Sequence, residues 1–235
     1  MKKRLFDVAV VSLAALVWVP VVAVTSVAVL VLSGRPVFYK SRRWVNPHGA
    51  ITMAKFRVMI RDANKVVSPI EAGRFLNTPS DSPLYTGIGR VLERLGITEL
   101  PQLIHVLLGE MTIVGPRPLT DVVRECLLEQ HPDLDERWMY GRAGLTGLPQ
   151  LVGREVLTDS QRLQLEEAYD RAAATGYRMS TDFMILLYTV LIVLKLKRPM
   201  TFQQALGVLA TTPQRRTVTA HEPQASYAAD ADAVA

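Results

Sequence analysis

The sequence predicts an α+β protein, mostly helical, in which a membrane-embedded N-terminal helix precedes a small cytosolic domain with one β-hairpin and interfacial helices. Three observations carry this reading. An uncharged run extends from Val8 to Leu32, two β-rich segments flank the turn "NPHG", and several later stretches place apolar residues at helical spacing. Of the 235 residues, 49% are hydrophobic, and the mean hydropathy of +0.17 is high for a soluble chain of this size.

The N-terminal run is taken first because it decides where the protein works. At 1.5 Å rise, its roughly 25 residues reach about 37 Å, enough for a hydrocarbon core of about 30 Å. A cleavable signal peptide has a shorter apolar region and a small-residue cleavage site, which "TSVAVLVLSGRPVF" does not offer. Basic residues stand on both flanks, Lys2, Lys3 and Arg4 before and Arg35, Lys40, Arg42 and Arg43 after, so both ends favour the cytoplasm. Pro20 interrupts the run and disfavours a straight helix by about 3 kcal/mol. Two topologies follow: a spanning helix with a proline bend, or a re-entrant hairpin that enters and leaves through one leaflet.

The segments "RPVFYKS" and "AITMAKFRVMI" predict a hairpin over about Val37 to Met59, with Lys55 and Arg57 on one strand face and Phe56 and Val58 on the other. "GIGRVLERLG" and "ELPQLIHVLLG" predict helices, the second through Leu100, Leu103, Ile104 and Leu107, closed by Gly109. Further helices are expected near Asp121 to Glu129 and, with a serine start, Ser160 to Thr175. The apolar run Phe183 to Leu194 is too short to span. With Lys195, Lys197 and Arg198 at its end, it predicts an interfacial helix over 182–198, with a buried core helix as the alternative. The domain plan is therefore 1–34 membrane helix, 35–200 cytosolic domain and 201–235 a partly disordered tail.

Charge and side-chain chemistry narrow the function. Lys+Arg 27 against Asp+Glu 22 and a pI near 9.5 suit an anionic partner. Nucleic acid is a poor candidate, because the basic residues flank apolar segments and no recognition motif occurs. The lone Cys126 excludes an intrachain disulfide, and His48, His105, His131 and His221 lack metal-ligand spacing and are expected to be structural or surface residues. "IVGPRPL" holds Arg117 between Pro116 and Pro118 after Gly115, a rigid setting for gripping phosphate oxygens. "RAGLTGLPQLVGR" has a similar style, with Arg142 and Arg154 bracketing a glycine loop, and Arg43 and Arg90 extend the cationic set.

Taken in order, "KRLFD", the proline-interrupted apolar segment, "RPVFYKSRR", "KFRVM", "YTGIGRVLER", "ITELPQLIHVLLGEMTIVGPRP", "GLTGLPQLVGR" and "STDFMILLYTVLIVL" give the chain its resemblance to the bacterial sugar transferases, over roughly residues 3 to 198. These are monotopic phosphoglycosyl transferases. The resemblance implies a re-entrant helix broken at Pro20 and a location at the cytoplasmic face of the bacterial inner membrane. It implies transfer of phospho-sugar from a UDP-sugar to undecaprenyl (polyprenyl) phosphate with Mg²⁺ and release of UMP. That step starts exopolysaccharide, O-antigen or glycoconjugate assembly. The partners implied are UDP-sugar, polyprenyl phosphate and membrane lipid; no motif speaks to oligomeric state, and the choice of sugar lies in loops.

The resemblance also assigns site residues. Lys55, Arg57, Arg117, Arg43, Arg90 and Arg154 are expected to bind substrate phosphates, and Glu99 to serve as metal ligand or base. The family places an aspartate nucleophile immediately before that glutamate, and here the position holds Thr98. Leu84 and Gly87 stand where basic residues are usual, and Leu95 and Gly96 replace a polar pair, although Arg94 stays in register. A threonine hydroxyl is a weak nucleophile without a base and a poorer Mg²⁺ ligand than a carboxylate. Three readings stay open: Thr98 activated by Glu99, direct attack by the polyprenyl phosphate with Glu99 holding Mg²⁺, or a binding and regulatory subunit of a glycan assembly system that does not turn over.

Overall fold

The computed structural model describes residues 2–63, 82–135, 141–153 and 156–210. Arg154 and His221 lie outside the described residues, as does the tail beyond Ala210. Helix α1 (Lys2–Ser33) is followed by strands β1 (Phe38–Asn46) and β2 (Gly49–Phe56), then α2 (Gly87–Arg94), a 3₁₀ turn (Leu100–Gln102) and α3 (Leu103–Leu108). Strand β3 (Thr112–Val114), α4 (Asp121–Gln130), β4 (Gly144–Thr146) and α5 (Leu148–Val152) come next. Helices α6 (Asp159–Gly176), α7 (Met179–Val193) and α8 (Phe202–Ala210) complete the described chain.

Helix α1 is long and apolar enough to cross a membrane. Leu13, Leu16, Val17, Val24 and Val31 along it are all exposed, as expected for a helix whose solvent is hydrocarbon. Pro20 does not divide the segment into two helices: α1 is one helix with the proline inside. Both ends of it pack on the same domain. Near its start, Phe6 and Val11 join the main core with Val106, Ile113, Leu148, Leu151, Leu165 and Ile185; near its end, Val29 joins a second cluster with Phe56, Val58, Tyr85 and Leu92.

Polar groups fix both attachments. Lys3 Nζ lies 2.6 Å from Asp182 Oδ2 and donates to Val114 O and Tyr169 Oη; Tyr169 and Tyr177 both donate to the Asp182 carboxylate. Asp7 accepts from Thr112 Oγ1 at 2.7 Å and from the Ile113 amide at 3.0 Å. Arg4 donates to the carbonyls of Val106 and Leu107 in the last turn of α3. At the other end of α1, the buried Arg57 donates to the carbonyls of Ser33, Gly34, Pro36 and Met59.

The hairpin forms as the sequence indicates, β1 antiparallel to β2 with Phe38 opposite Phe56 and Arg43 opposite Ile51, and a bulge between Trp44 and Asn46. Strands β3 and β4 pair in parallel. A Cβ on Gly144 would meet the Gly115 amide at 2.1 Å, so only glycine allows the two strands this approach. Local caps set the helix ends. Thr86 and Thr120 cap α2 and α4, and Gly109 ends α3 at φ 79. Thr158 with Gln161 forms a capping box on α6, so that helix starts from threonine and not from Ser160.

Two boundaries differ from expectation. Helix α7 stops at Val193, before Lys195, Lys197 and Arg198, and it serves two surfaces at once: Asp182 and Ile185 are buried while Phe183, Leu187, Val190 and Val193 are exposed. The segment from 201 opens with α8, whose Ala205 and Val208 enter the main core, so the folded domain runs past residue 200. Apolar periodicity in "TFQQALGVLA" is short, and its burial depends on long-range packing.

Replacing Asp182 with Ala leaves the Lys3 ammonium buried beside two tyrosine hydroxyls. The expected cost is about 3–5 kcal/mol of unfolding free energy, measured as a lower midpoint of thermal or denaturant unfolding in detergent.

Candidate functional site

A cleft of about 430 Å³, counting its open mouth, lies between the hairpin and the segment around Arg117; it is lined by Ser41, Arg43, Met53, Lys55, Glu99, Gln102, Arg117, Pro118, Gly144 and Leu145. The alternation of strand side chains explains its hairpin wall. Ser41 and Arg43 of β1 and Met53 and Lys55 of β2 occupy same-face positions, Ser41 directly opposite Met53. The facing wall comes from the "GPRP" turn. Its backbone is held where the Gly115 amide donates to Thr146 O at 2.9 Å and the Arg117 amide donates to Glu166 Oε1 at 3.0 Å. Gly115, Pro116 and Pro118 thus deliver the Arg117 side chain to within 3.5 Å of Glu99 Oε1.

The electrostatics are lopsided. Three cations, Arg43, Lys55 and Arg117, and one carboxylate, Glu99, line the cleft. Burial pushes the Arg43 guanidinium below its ordinary value, Arg117 adds to that, and Glu99 opposes it. Burial likewise pushes the Lys55 ammonium down; Glu99 is the strongest opposing charge, Arg43 and Arg117 push further down, and Glu93 opposes them. Cations held below their ordinary values by burial and mutual repulsion gain from a bound anion. Planar guanidinium forks and an ammonium in one cleft suit the oxygens of a diphosphate.

The expected site residues divide into those the fold brings together and those it does not. Lys55, Arg43, Arg117 and Glu99 converge. Arg57 does not join them: the strand ends at Phe56, its side-chain alternation ends there too, and the guanidinium turns to the carbonyls that follow α1. Arg90 on α2 reaches the Ser82 carbonyl at 3.5 Å and is not on the cleft wall. Thr98 is buried, and its hydroxyl donates to Glu93 Oε2 at 3.1 Å, while the Glu99 carboxylate faces Arg117. The two adjacent side chains therefore serve different partners.

Several participants carried no isolated sequence signal. Gln102 belongs to the "ELPQL" stretch, but its burial on the cleft wall emerges only in the fold; Ser41 and Met53 follow from strand alternation once the register is known. Glu93 and Glu166 could be found only from the tertiary contacts. Among the described residues, no group of three or more His, Cys, Asp or Glu side chains gathers into a metal cage.

Fold and cleft together define a protein with a cation-lined cleft whose apolar helix is docked by both ends onto the domain that carries it. The pattern that defines the bacterial sugar transferases matches residues 1–196, and the chain belongs to that family. It is 31% identical to the exopolysaccharide production protein ExoY of Sinorhizobium fredii, over 80% of this chain and 83% of that one. It is 30% identical to the UDP-glucose:undecaprenyl-phosphate glucose-1-phosphate transferase of Klebsiella pneumoniae, over 80% of this chain and 39% of the relative. With the undecaprenyl-phosphate galactose phosphotransferase of Salmonella typhimurium the identity is 29%, over 69% of this chain and 34% of the relative.

Two measurements test the site as drawn. Calorimetric UDP affinity should fall about 10- to 100-fold in Arg43→Met and Arg117→Met, the worth of a charge-assisted contact, and stay unchanged in Arg57→Met, which instead lowers the unfolding midpoint. Because the free Lys55 ammonium loses its proton at lower pH than an ordinary lysine, UDP affinity should decline as pH rises below the usual lysine range, with proton uptake on binding; Lys55→Arg should flatten that decline.

Proposed function

We propose that this protein transfers a phospho-sugar from a UDP-sugar to undecaprenyl phosphate or a related polyprenyl phosphate, releasing UMP, at the cytoplasmic face of the bacterial inner membrane, as the first step of exopolysaccharide or related glycan assembly. The observation that carries this reading is the convergence of Arg43, Lys55 and Arg117 around Glu99, in a domain on which both ends of an apolar helix are docked. Three cations neutralise much of a diphosphate's charge and hold its oxygens while it is displaced. The name of the Klebsiella relative gives a UDP-sugar donor and undecaprenyl phosphate as acceptor, and that of the Salmonella relative gives undecaprenyl phosphate and galactose.

Helix α1 is read as re-entrant. A straight helix of its 32 residues would be about 48 Å long and would carry its far end through the bilayer. Both ends instead rest on one domain, Phe6 and Val11 at one and Val29 at the other. The exposed apolar side chains of α7 extend the same membrane-facing character.

Mg²⁺ fits the donor set as a shared ion. It ordinarily takes one or two carboxylates together with substrate phosphates and water, and Glu99 is the carboxylate available on the cleft wall. Bound there, it would supply further positive charge against the diphosphate. Glu99 would hold it, Arg117 would fix the Glu99 carboxylate, and Arg43 and Lys55 would hold phosphate oxygens.

The test is UMP release by purified protein in detergent with undecaprenyl phosphate and a panel of UDP-sugars. Release with at least one donor, reduced by Glu99→Gln and Arg117→Met, is expected. Donor binding without release across the panel, together with release gained in Thr98→Asp, would establish instead a binding or regulatory subunit, the reading that the hydroxyl at position 98 favours.

A further inference from the structure

Besides its cations and its carboxylate, the cleft wall carries two neutral polar side chains, Ser41 and Gln102. The Ser41 hydroxyl is engaged, accepting from Arg43 Nε at 3.1 Å. Gln102 differs. The residue is only 7% exposed, yet its side-chain amide makes no hydrogen bond to any described residue. Burying an amide without a partner is costly, and native structures keep such groups where something other than packing requires them. On the wall of a cleft, that requirement is a ligand whose orientation the amide fixes.

Its place in the chain indicates which part of a donor it meets. Glu99 caps the 3₁₀ turn, and the Gln102 backbone N–H donates to Glu99 O at 2.9 Å, the bond that brings residues three apart onto one face. Pro101 fixes the backbone between them. The Glu99 carboxylate faces Arg117, so Gln102 stands one turn from the pair assigned above to the diphosphate. In a UDP-sugar, a single oxygen links the sugar ring to its phosphorus, whereas a whole ribose separates the uracil from the diphosphate. A group beside Glu99 therefore meets the sugar before it meets the base. The chemistry agrees: the charged diphosphate oxygens match Arg43, Lys55 and Arg117, while an amide with one acceptor and two donors matches neighbouring ring hydroxyls, each of which donates and accepts.

We propose that the Gln102 side-chain amide binds the sugar of the donor, its Oε1 accepting from one ring hydroxyl and its Nε2 donating to a neighbouring one. This rests on the transfer reading above and adds the group that orients the sugar while its phosphorus is displaced. Gln102 acts by binding alone and takes no part in making or breaking a bond. Glucose and galactose share the hydroxyls nearest the phosphate-bearing carbon, so one amide serves either ring.

The experiment is calorimetry on the full chain in detergent with UDP, UDP-glucose, UDP-galactose and UDP-N-acetylglucosamine. It compares the native protein with Gln102→Met, which keeps the side-chain length and removes the amide. Affinity for the nucleotide sugar that the native chain binds most tightly should fall about 10-fold, with affinity for UDP unchanged. The unfolding midpoint should hold or rise, because the substitution removes a buried amide that has no partner among the described residues; an amide with a structural role would lower it. Equal losses for UDP and the nucleotide sugar assign the amide to the nucleotide and overturn the proposal. Unchanged affinity for every ligand, or a lowered midpoint, overturns it too. A native chain that binds a nucleotide sugar through Gln102 and releases no UMP defeats the transfer reading and leaves this contact standing; one that binds no nucleotide sugar defeats both.

Discussion

The structure depends on holding both ends of one apolar helix against one polar domain. At its start, the Lys3 ammonium is taken from water and matched with Asp182, whose carboxylate is completed by two tyrosine hydroxyls. At its end, Arg57 satisfies carbonyls that a terminating helix leaves open. Desolvating these charges is costly and is offset only because nearly every donor and acceptor has a partner. Apolar contact alone would not fix the orientation, since α1 carries no charge from Val8 to Leu32 and offers no amphipathic stripe there to choose one face over another.

That attachment explains why the cleft lies where it does. The same β2 strand that sends Phe56 into the cluster beneath Val29 sends Lys55 to the cleft, and the residue after Phe56 is the one that binds the helix end. The docking of α1 and the cationic wall of the cleft are thus joined through three consecutive residues.

Within the cleft, one carboxylate offsets three cations only in part. The residual positive charge destabilises the empty site and favours an anion in it, in the same manner that burial displaces Arg43 and Lys55 from their ordinary ionisation. Glu99 keeps the wall from repelling itself apart by pairing with Arg117. The Thr98 hydroxyl carries no charge and turns away from this wall to donate to Glu93, in the last turn of α2.

Much of the architecture was legible from local physics. The charge-free run, the turn around Pro47 and His48 and the Gly109 terminus each act within a few residues, so the long apolar helix, the hairpin and the end of α3 follow from the sequence by itself. The rigid "GPRP" presentation of Arg117 and the pairing of Lys55 with the cleft were visible for the same reason. Tertiary structure alone decided that Arg57 caps a helix end 24 residues upstream, that α8 belongs to the core, and that Thr98 turns to Glu93 and Glu99 to Arg117. Strand alternation predicts a side chain's face only while the strand lasts, and the choice among partners for a charged group depends on which distant backbone and side chains arrive beside it.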